Sequence, residues 1–194
     1  SDITLEEATS RLRQLKGAEH LITGFEIPVD VALECARLGK ELGMKVYLNP
    51  SPIEHDAVLH QMPFVDLLCV NETEAQILLG RVGQEVNDWI AAAREIGEKF
   101  GVATVVITLG GKGACAWSPE GSWAIPAYPV KLCDESGAGD AFLAVTVQNL
   151  VWGKSLREAM IYANKYCAWL VERPGSIASY MKLEDMDEVL RRFQ

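Results

Sequence analysis

Several absences narrow the field before any motif is read. The chain has no run of lysine or arginine, and 18 basic against 27 acidic side chains leave a formal net charge of −9. That balance gives no footprint for a phosphate backbone and excludes a nucleic-acid-binding role. No apolar stretch exceeds strand length, so no membrane-spanning helix is expected. No positively charged segment followed by an apolar run opens the chain, so no retained signal peptide is expected. Cysteine is sparse and odd in number, at positions Cys35, Cys69, Cys115, Cys133 and Cys167, with no CxxC pair. Four of the five sit in apolar runs or at strand ends, the behaviour of reduced thiols in a cytoplasmic protein. His20, His55 and His60 show no metal-ligand spacing, and no zinc site is read.

What is present is a rhythm. A length of 194 residues suits one domain over 1–194, and no linker or internal repeat divides it. Thr4 with Glu7 predicts a capped helix over 5–15. A short strand over 20–23 follows, then a helix whose apolar positions Val31, Ala32, Cys35, Leu38 and Leu42 recur at helical spacing. Strands are predicted over 44–48, 65–70 and 103–108, with helices from residue 72 to 79 and over 86–100. Helix alternating with buried strand is the pattern of a largely parallel α/β sheet. Two β-prone runs, 114–117 and 122–125, flank Pro119, Glu120 and Gly121 and read as an antiparallel edge hairpin. Helices over 138–151, 156–171 and 183–193 complete the chain.

The most informative stretch is Asp134-Glu-Ser-Gly-Ala-Gly-Asp140, running into the apolar Ala141, Phe142 and Leu143. Small residues at an unsatisfied helix N-terminus let several backbone N–H groups approach an anion closely, as a phosphate or a phosphoryl group in transfer requires. Asp140, in the first helical turn, suits a base that takes a proton from a substrate hydroxyl. It equally suits a helix cap.

Two further strand ends open into polar turns. Val105 to Thr108 runs into Gly110, Gly111 and Gly113 at the carboxyl end of a strand, where open α/β sheets bind ligands. It lacks a GK[ST] ending and a following helix, so it is not a P-loop; a plain turn into the hairpin is the alternative. Asn71 and Glu74 share one helix face and could orient water around a Mg²⁺ that carries nucleotide phosphates. Asn as N-cap with Glu three residues on is also a capping box. Three such strand ends together point to a phosphate-handling enzyme.

These residues resemble a known family. The run from Asp134 to Asp140 is similar to DTxGAGD, the C-terminal signature of the PfkB, or ribokinase-like, carbohydrate and nucleoside kinases. Asn71-Glu-Thr-Glu74 resembles the family's NxxE motif, and Ile107-Thr-Leu-Gly-Gly-Lys-Gly113 its nucleotide-loop strand. Tyr162 to Ala168 and Arg173 to Tyr180 resemble the helix and loop that close over the adenine. Ribokinase is the most similar branch, through Leu48-Asn-Pro-Ser-Pro52 and the Gly-Ser-x-x-Ser pattern at 175–179.

The resemblance implies a three-layer α/β/α fold and ATP-dependent phosphoryl transfer to a small sugar, ribose foremost. Asp140 would be the general base, with Gly137, Ala138 and Gly139 forming the anion hole. Thr108, Gly110, Gly111 and Gly113 would line the nucleotide, Asn164 would lie near the adenine, and Asn71 and Glu74 would organise Mg²⁺. Asp134, Ser136 and Ser179 would belong to a K⁺ site. The resemblance further implies that the chain matches only the C-terminal two-thirds of the family. The N-terminal strands, the sugar-gripping residues and the β-lid that mediates homodimerisation would then be missing, and the fragment alone would be inactive. Glu135 stands where the family usually has Thr, a carboxylate beside the phosphate site. A nucleotide-binding or interaction domain without catalysis is the competing class, and an ATP-dependent dehydratase or epimerase-coupled enzyme on a related fold is a third.

Overall fold

The computed structural model describes residues 3–54, 59–175, 180–181 and 186–193. Two compact units are distinguished. The first comprises Ser1–Ile107 and Ala116–Ser122, and the second Thr108–Cys115 and Trp123–Gln194.

The first unit opens on α1, Leu5–Gln14, whose N-terminus is fixed by the Thr4 hydroxyl accepting the Glu7 N–H at 3.2 Å. Ala8 and Leu12 pack with Val31, Cys35 and Leu38 of α2, Val29–Glu41. Strands β1, His20–Gly24, and β2, Lys45–Asn49, run parallel in register from His20↔Lys45 to Gly24↔Asn49. Strand β3, Leu67–Asn71, continues parallel to β2. Helices α3, Glu72–Leu79, and α4, Trp89–Phe100, lead to β4, Thr104–Thr108. Val46 to Leu48, Leu67 to Val70 and Val105 to Ile107 are buried on successive residues, as strands covered on both faces must be.

The sheet has six strands in the order of the chain, ending with β5, Ala114–Ser118, and β6, Gly121–Ile125. The connection from β4 to β5 is too short for a parallel crossover, so the sheet changes to antiparallel pairing there. The Ser118 hydroxyl closes the β5–β6 turn by accepting the Glu120 N–H and donating to the Gly121 carbonyl. On the α4 side, a Cβ at Gly97 would lie 2.4 Å from the Trp117 ring, so glycine sets how closely helix and hairpin approach.

The expectation of a sheet without its N-terminal strands is corrected here. The N-terminal strand β1 is integral to the sheet, pairing with β2 along its whole length, and α1 packs on α2. Two boundaries also move for local reasons. Helix α4 starts at Trp89 because Asp88, three residues before Ala91, caps it by accepting the Ala91 N–H at 2.9 Å. Val65 is buried but sits in a turn, its N–H donating to the Met62 carbonyl, so β3 begins only at Leu67.

In the second unit, α5, Ala138–Val151, and α6, Leu156–Leu170, lead to α7, Met186–Arg192. Tyr166, Trp169, Leu170, Val189 and Phe193 form its core. Tyr128 packs on Phe193 with ring centroids 5.2 Å apart, and Glu172 pairs with Arg192 at 2.6 Å. Among the described residues, no helix is long and apolar enough to cross a membrane.

Candidate active site

The glycine turn before α5 folds as a helix start without a side-chain cap. Its N-cap is Gly137, in the left-handed region at φ 77°, which makes no side-chain cap bond. Glycine is the residue that adopts this φ at little cost. A Cβ on Gly139 would meet nothing within 4 Å, so the backbone there faces open space. Asp140 lies in the first turn and is exposed. An uncapped helix start with small residues and a carboxylate in its first turn can hold an anion and accept a proton beside it.

This turn is held from behind by named contacts. The Asp134 carboxylate accepts the Ser136 N–H at 2.9 Å through Oδ1 and the Gly175 N–H at 2.9 Å through Oδ2. The Ser136 amide, then the Ser136 side chain and the Gly175 amide hold its carboxyl below the usual carboxylate range. Cys133 and Asp134 both donate their N–H to the Val171 carbonyl, at 2.7 and 3.1 Å. Within the turn, Ala138 N–H donates to the Glu135 carbonyl at 3.0 Å. Beneath it, the Cys167 thiol of α6 donates to the Ala138 carbonyl at 3.4 Å, and burial pushes that thiol up to about 12. Glu135 itself is exposed.

The 108–113 loop separates its glycines by role. Gly113, at φ 104°, cannot carry a side chain: a Cβ would lie 2.0 Å from the Ile125 carbonyl oxygen and 2.6 Å from the Ala127 nitrogen. Its place is therefore set by backbone packing within the protein. Gly110 and Gly111 belong to a short 3-10 turn, and a Cβ at either would meet open space. Thr108 ends β4. Asn164 is buried on α6 and donates from Nδ2 to the Pro126 carbonyl at 2.7 Å, tying α6 to the segment after β6. A cavity of about 570 Å³ opens between Lys131, Leu132, Cys133, Glu172 and Arg173; Arg173 begins the stretch likened to the adenine loop, and none of the candidate catalytic, nucleotide-lining or metal residues lines it.

In the first unit, Asn71 and Glu74 form a reciprocal capping box at the start of α3. Asn71 Oδ1 accepts the Glu74 N–H and Glu74 Oε2 accepts the Asn71 N–H, each at 2.9 Å. The cap engages one oxygen of each side chain, which leaves the other carboxylate oxygen of a buried Glu74. That donor chemistry fits a water-mediated hold on Mg²⁺, which keeps several of its waters. Asp134 is balanced by N–H dipoles, with no cationic side chain among the groups that hold its charge. Such a negative centre in a carbonyl-rich loop fits an alkali cation nearby. Ser179, expected in that site, lies outside the described residues. Among the described residues, no three His, Cys, Asp or Glu side chains converge as a ligand set.

The family profile of the pfkB carbohydrate kinases matches residues 8–183. The chain belongs to the pfkB family of carbohydrate kinases. It is 29% identical over 185 residues to a deoxyribokinase of Salmonella typhi, covering 95% of this chain and 60% of that protein. Among solved structures, the ribokinase of Thermotoga maritima superposes with a TM-score of 0.81 at 28% identity, covering 93% of this chain and 59% of the other. The ribokinase of Arabidopsis thaliana, solved with ribose and ATP, superposes with a TM-score of 0.83 at 25% identity, covering 94% and 59%. The chain thus spans about 60% of the length of the curated relative it matches.

The expectation of a match limited to a C-terminal two-thirds is corrected on this chain. The pfkB correspondence begins near its first helix, at residue 8, and runs along nearly all of it. Two participants were not readable from the sequence: the Asp134 side chain as a bridge, and Cys167 under the turn. Asp134 with Ser136 two residues on is a local signal for an Asx turn. Its second partner is 41 residues away, and no spacing rule reaches that far.

Proposed function

We propose that the chain carries the phosphoryl-transfer apparatus of an ATP-dependent sugar kinase, with ribose as the leading substrate. One observation carries the reading: α5 begins on left-handed Gly137, without a side-chain cap, and has Asp140 in its first turn. In this reading the backbone at Gly137, Ala138 and Gly139 forms the cradle, and its amides not already bonded within the turn hold the transferred group as charge develops on it. Asp140 takes the proton from the acceptor hydroxyl as the new O–P bond forms and the bond to the leaving ADP oxygen breaks. The 108–113 loop and Asn164 belong to the nucleotide side, Gly113 and Asn164 by shaping it and Thr108, Gly110 and Gly111 by lining it. Mg²⁺ held through water by Asn71 and Glu74, and K⁺ near Asp134, Ser136 and Ser179, would supply positive charge to the phosphates and to the anion cradle. Family membership and the similarity to two solved ribokinases support sugar phosphorylation. The deoxyribokinase relative makes deoxyribose the first competitor for ribose.

The test is Asp140→Asn in the full-length protein, assayed with ATP on ribose and deoxyribose. Loss of a positioned base is expected to lower kcat by about 10²–10⁴-fold. The thermal midpoint, read alongside, separates loss of the base from loss of folding, since Asp140 is exposed. An unchanged rate would remove Asp140 from the chemistry. A second reading, nucleotide binding without catalysis, draws on the exposed Glu135 carboxylate beside the cradle. It is favoured if MgATP binds while no sugar is phosphorylated.

A further inference from the structure

Asp134 occupies the point where the glycine turn meets the loop after α6, and its carboxylate serves both. Oδ1 closes the local turn on the Ser136 N–H, and Oδ2 reaches the Gly175 N–H, each at 2.9 Å. Backbone bonds from Cys133 and Asp134 to the Val171 carbonyl run alongside. Gly175 itself has φ 83°, a conformation that L side chains rarely adopt, so its N–H is presented by a backbone that few other residues could replace. A carboxylate is suited to this place because both of its oxygens accept and neither donates. We propose that the Asp134 side chain is a positioning residue that fastens the loop at 171–175 to the anion cradle at the start of α5, and that it does so without any bound cation. The positioning role rests on the phosphoryl-transfer reading above; the tie itself does not.

The two halves of the bridge should come apart by substitution. In Asp134→Asn the single remaining acceptor serves the local Ser136 turn, and the amide NH₂ then faces a second donor at Gly175. In Asp134→Ala both bonds are lost. Hydrogen exchange, read by mass spectrometry on peptides covering 133–138 and 172–175, is measured in the full-length protein with tetramethylammonium as the only added cation. Exchange at 172–175 is expected to rise about tenfold in both variants, and at 133–138 in Asp134→Ala alone. Peptides from α1 to α4 should be unaltered, which separates this effect from misfolding. In potassium buffer with MgATP and ribose, kcat should fall about tenfold or more in Asp134→Ala, while the KM for MgATP stays within about twofold. Asp134→Asn should recover part of that loss.

Unaltered exchange at 172–175 in Asp134→Ala, or protection there that appears only when potassium is added, overturns the tie. Faster exchange with an unchanged kcat overturns the positioning role. If wild-type protein transfers phosphate to neither sugar, the kinase reading fails and the positioning role fails with it, while exchange still decides the tie.

Discussion

Two helices of this chain start among functional residue types, and they start in opposite ways. At α3, Asn71 and Glu74 exchange side-chain and backbone hydrogen bonds, and the first-turn amides are partly satisfied by the protein itself. At α5, the N-cap is Gly137, which has no side chain with which to cap the first turn. Amides at a helix start need a partner, and an external anion suits those of the α5 turn that are not bonded within it. The capped start is built for stability and can add water-mediated work; the uncapped start gives up that stability for access.

The contrast can be sharpened with glycines that look alike in sequence. Gly113→Ala should be the most damaging substitution, because its Cβ would lie 2.0 Å from a backbone oxygen at a positive φ. A loss of about 3 kcal/mol or more is expected, read from the denaturant midpoint. Gly139→Ala, in open space within α5, should instead raise helix stability by up to about 1 kcal/mol. Its phosphoryl-transfer rate should fall nonetheless, because a methyl group stands where the anion approaches. If Gly139→Ala leaves the rate intact, the cradle is not where the comparison places it.

Asn71→Ala tests the other start. Removing the cap is expected to cost about 1 kcal/mol, seen as an equal shift in urea and thermal unfolding. Mg²⁺-dependent nucleotide binding measured on the same variant decides whether the cap has a second duty.

The smallest effect concerns Asp66, which joins α2 and β2. Burial opposes its charge, but the Lys40 ammonium at 2.6 Å, the Val46 N–H at 2.9 Å and the Lys45 charge outweigh it and hold its carboxyl below the usual range. A carboxyl lowered on folding stabilises the protein above its unfolded value, and that contribution is lost as the pH falls through the folded value. Asp66→Asn should therefore lower stability at neutral pH by about 1 kcal/mol or less, given the solvent screening. The difference from wild type should vanish in acid, once the pH has fallen below the folded value. A difference that persists there would assign the effect to the Val46 hydrogen bond rather than to charge.

Much of this architecture was legible in the sequence because it rests on short-range rules. Strand and helix periodicity placed the described α-helices and strands, and Thr4 and Asn71 mark helix starts that the structure caps with those same side chains. Boundaries failed where a local polar contact outweighed an apolar residue, as at Val65 and Asp88. The three-residue 3-10 turn at Gly110–Lys112 carries no periodic signal at all. The site was legible as residue types but not as a mechanism of support. Gly113 and Gly139 read alike until the backbone around each is known. The links from Asp134 to Gly175 and from Cys167 to Ala138 join segments that sequence spacing cannot relate.

The Cys167 contact has a consequence for how such a protein meets oxidants. Sulfur chemistry runs through the thiolate, and this thiol, on a half-buried residue, is held in its protonated form and already donating to the carbonyl of the cradle's first helical residue. Cys133, by contrast, is exposed close before the same cradle. Peroxide would thus be met first by a sulfur at the rim of the turn, while the sulfur forming its floor stays chemically silent and the floor keeps its shape.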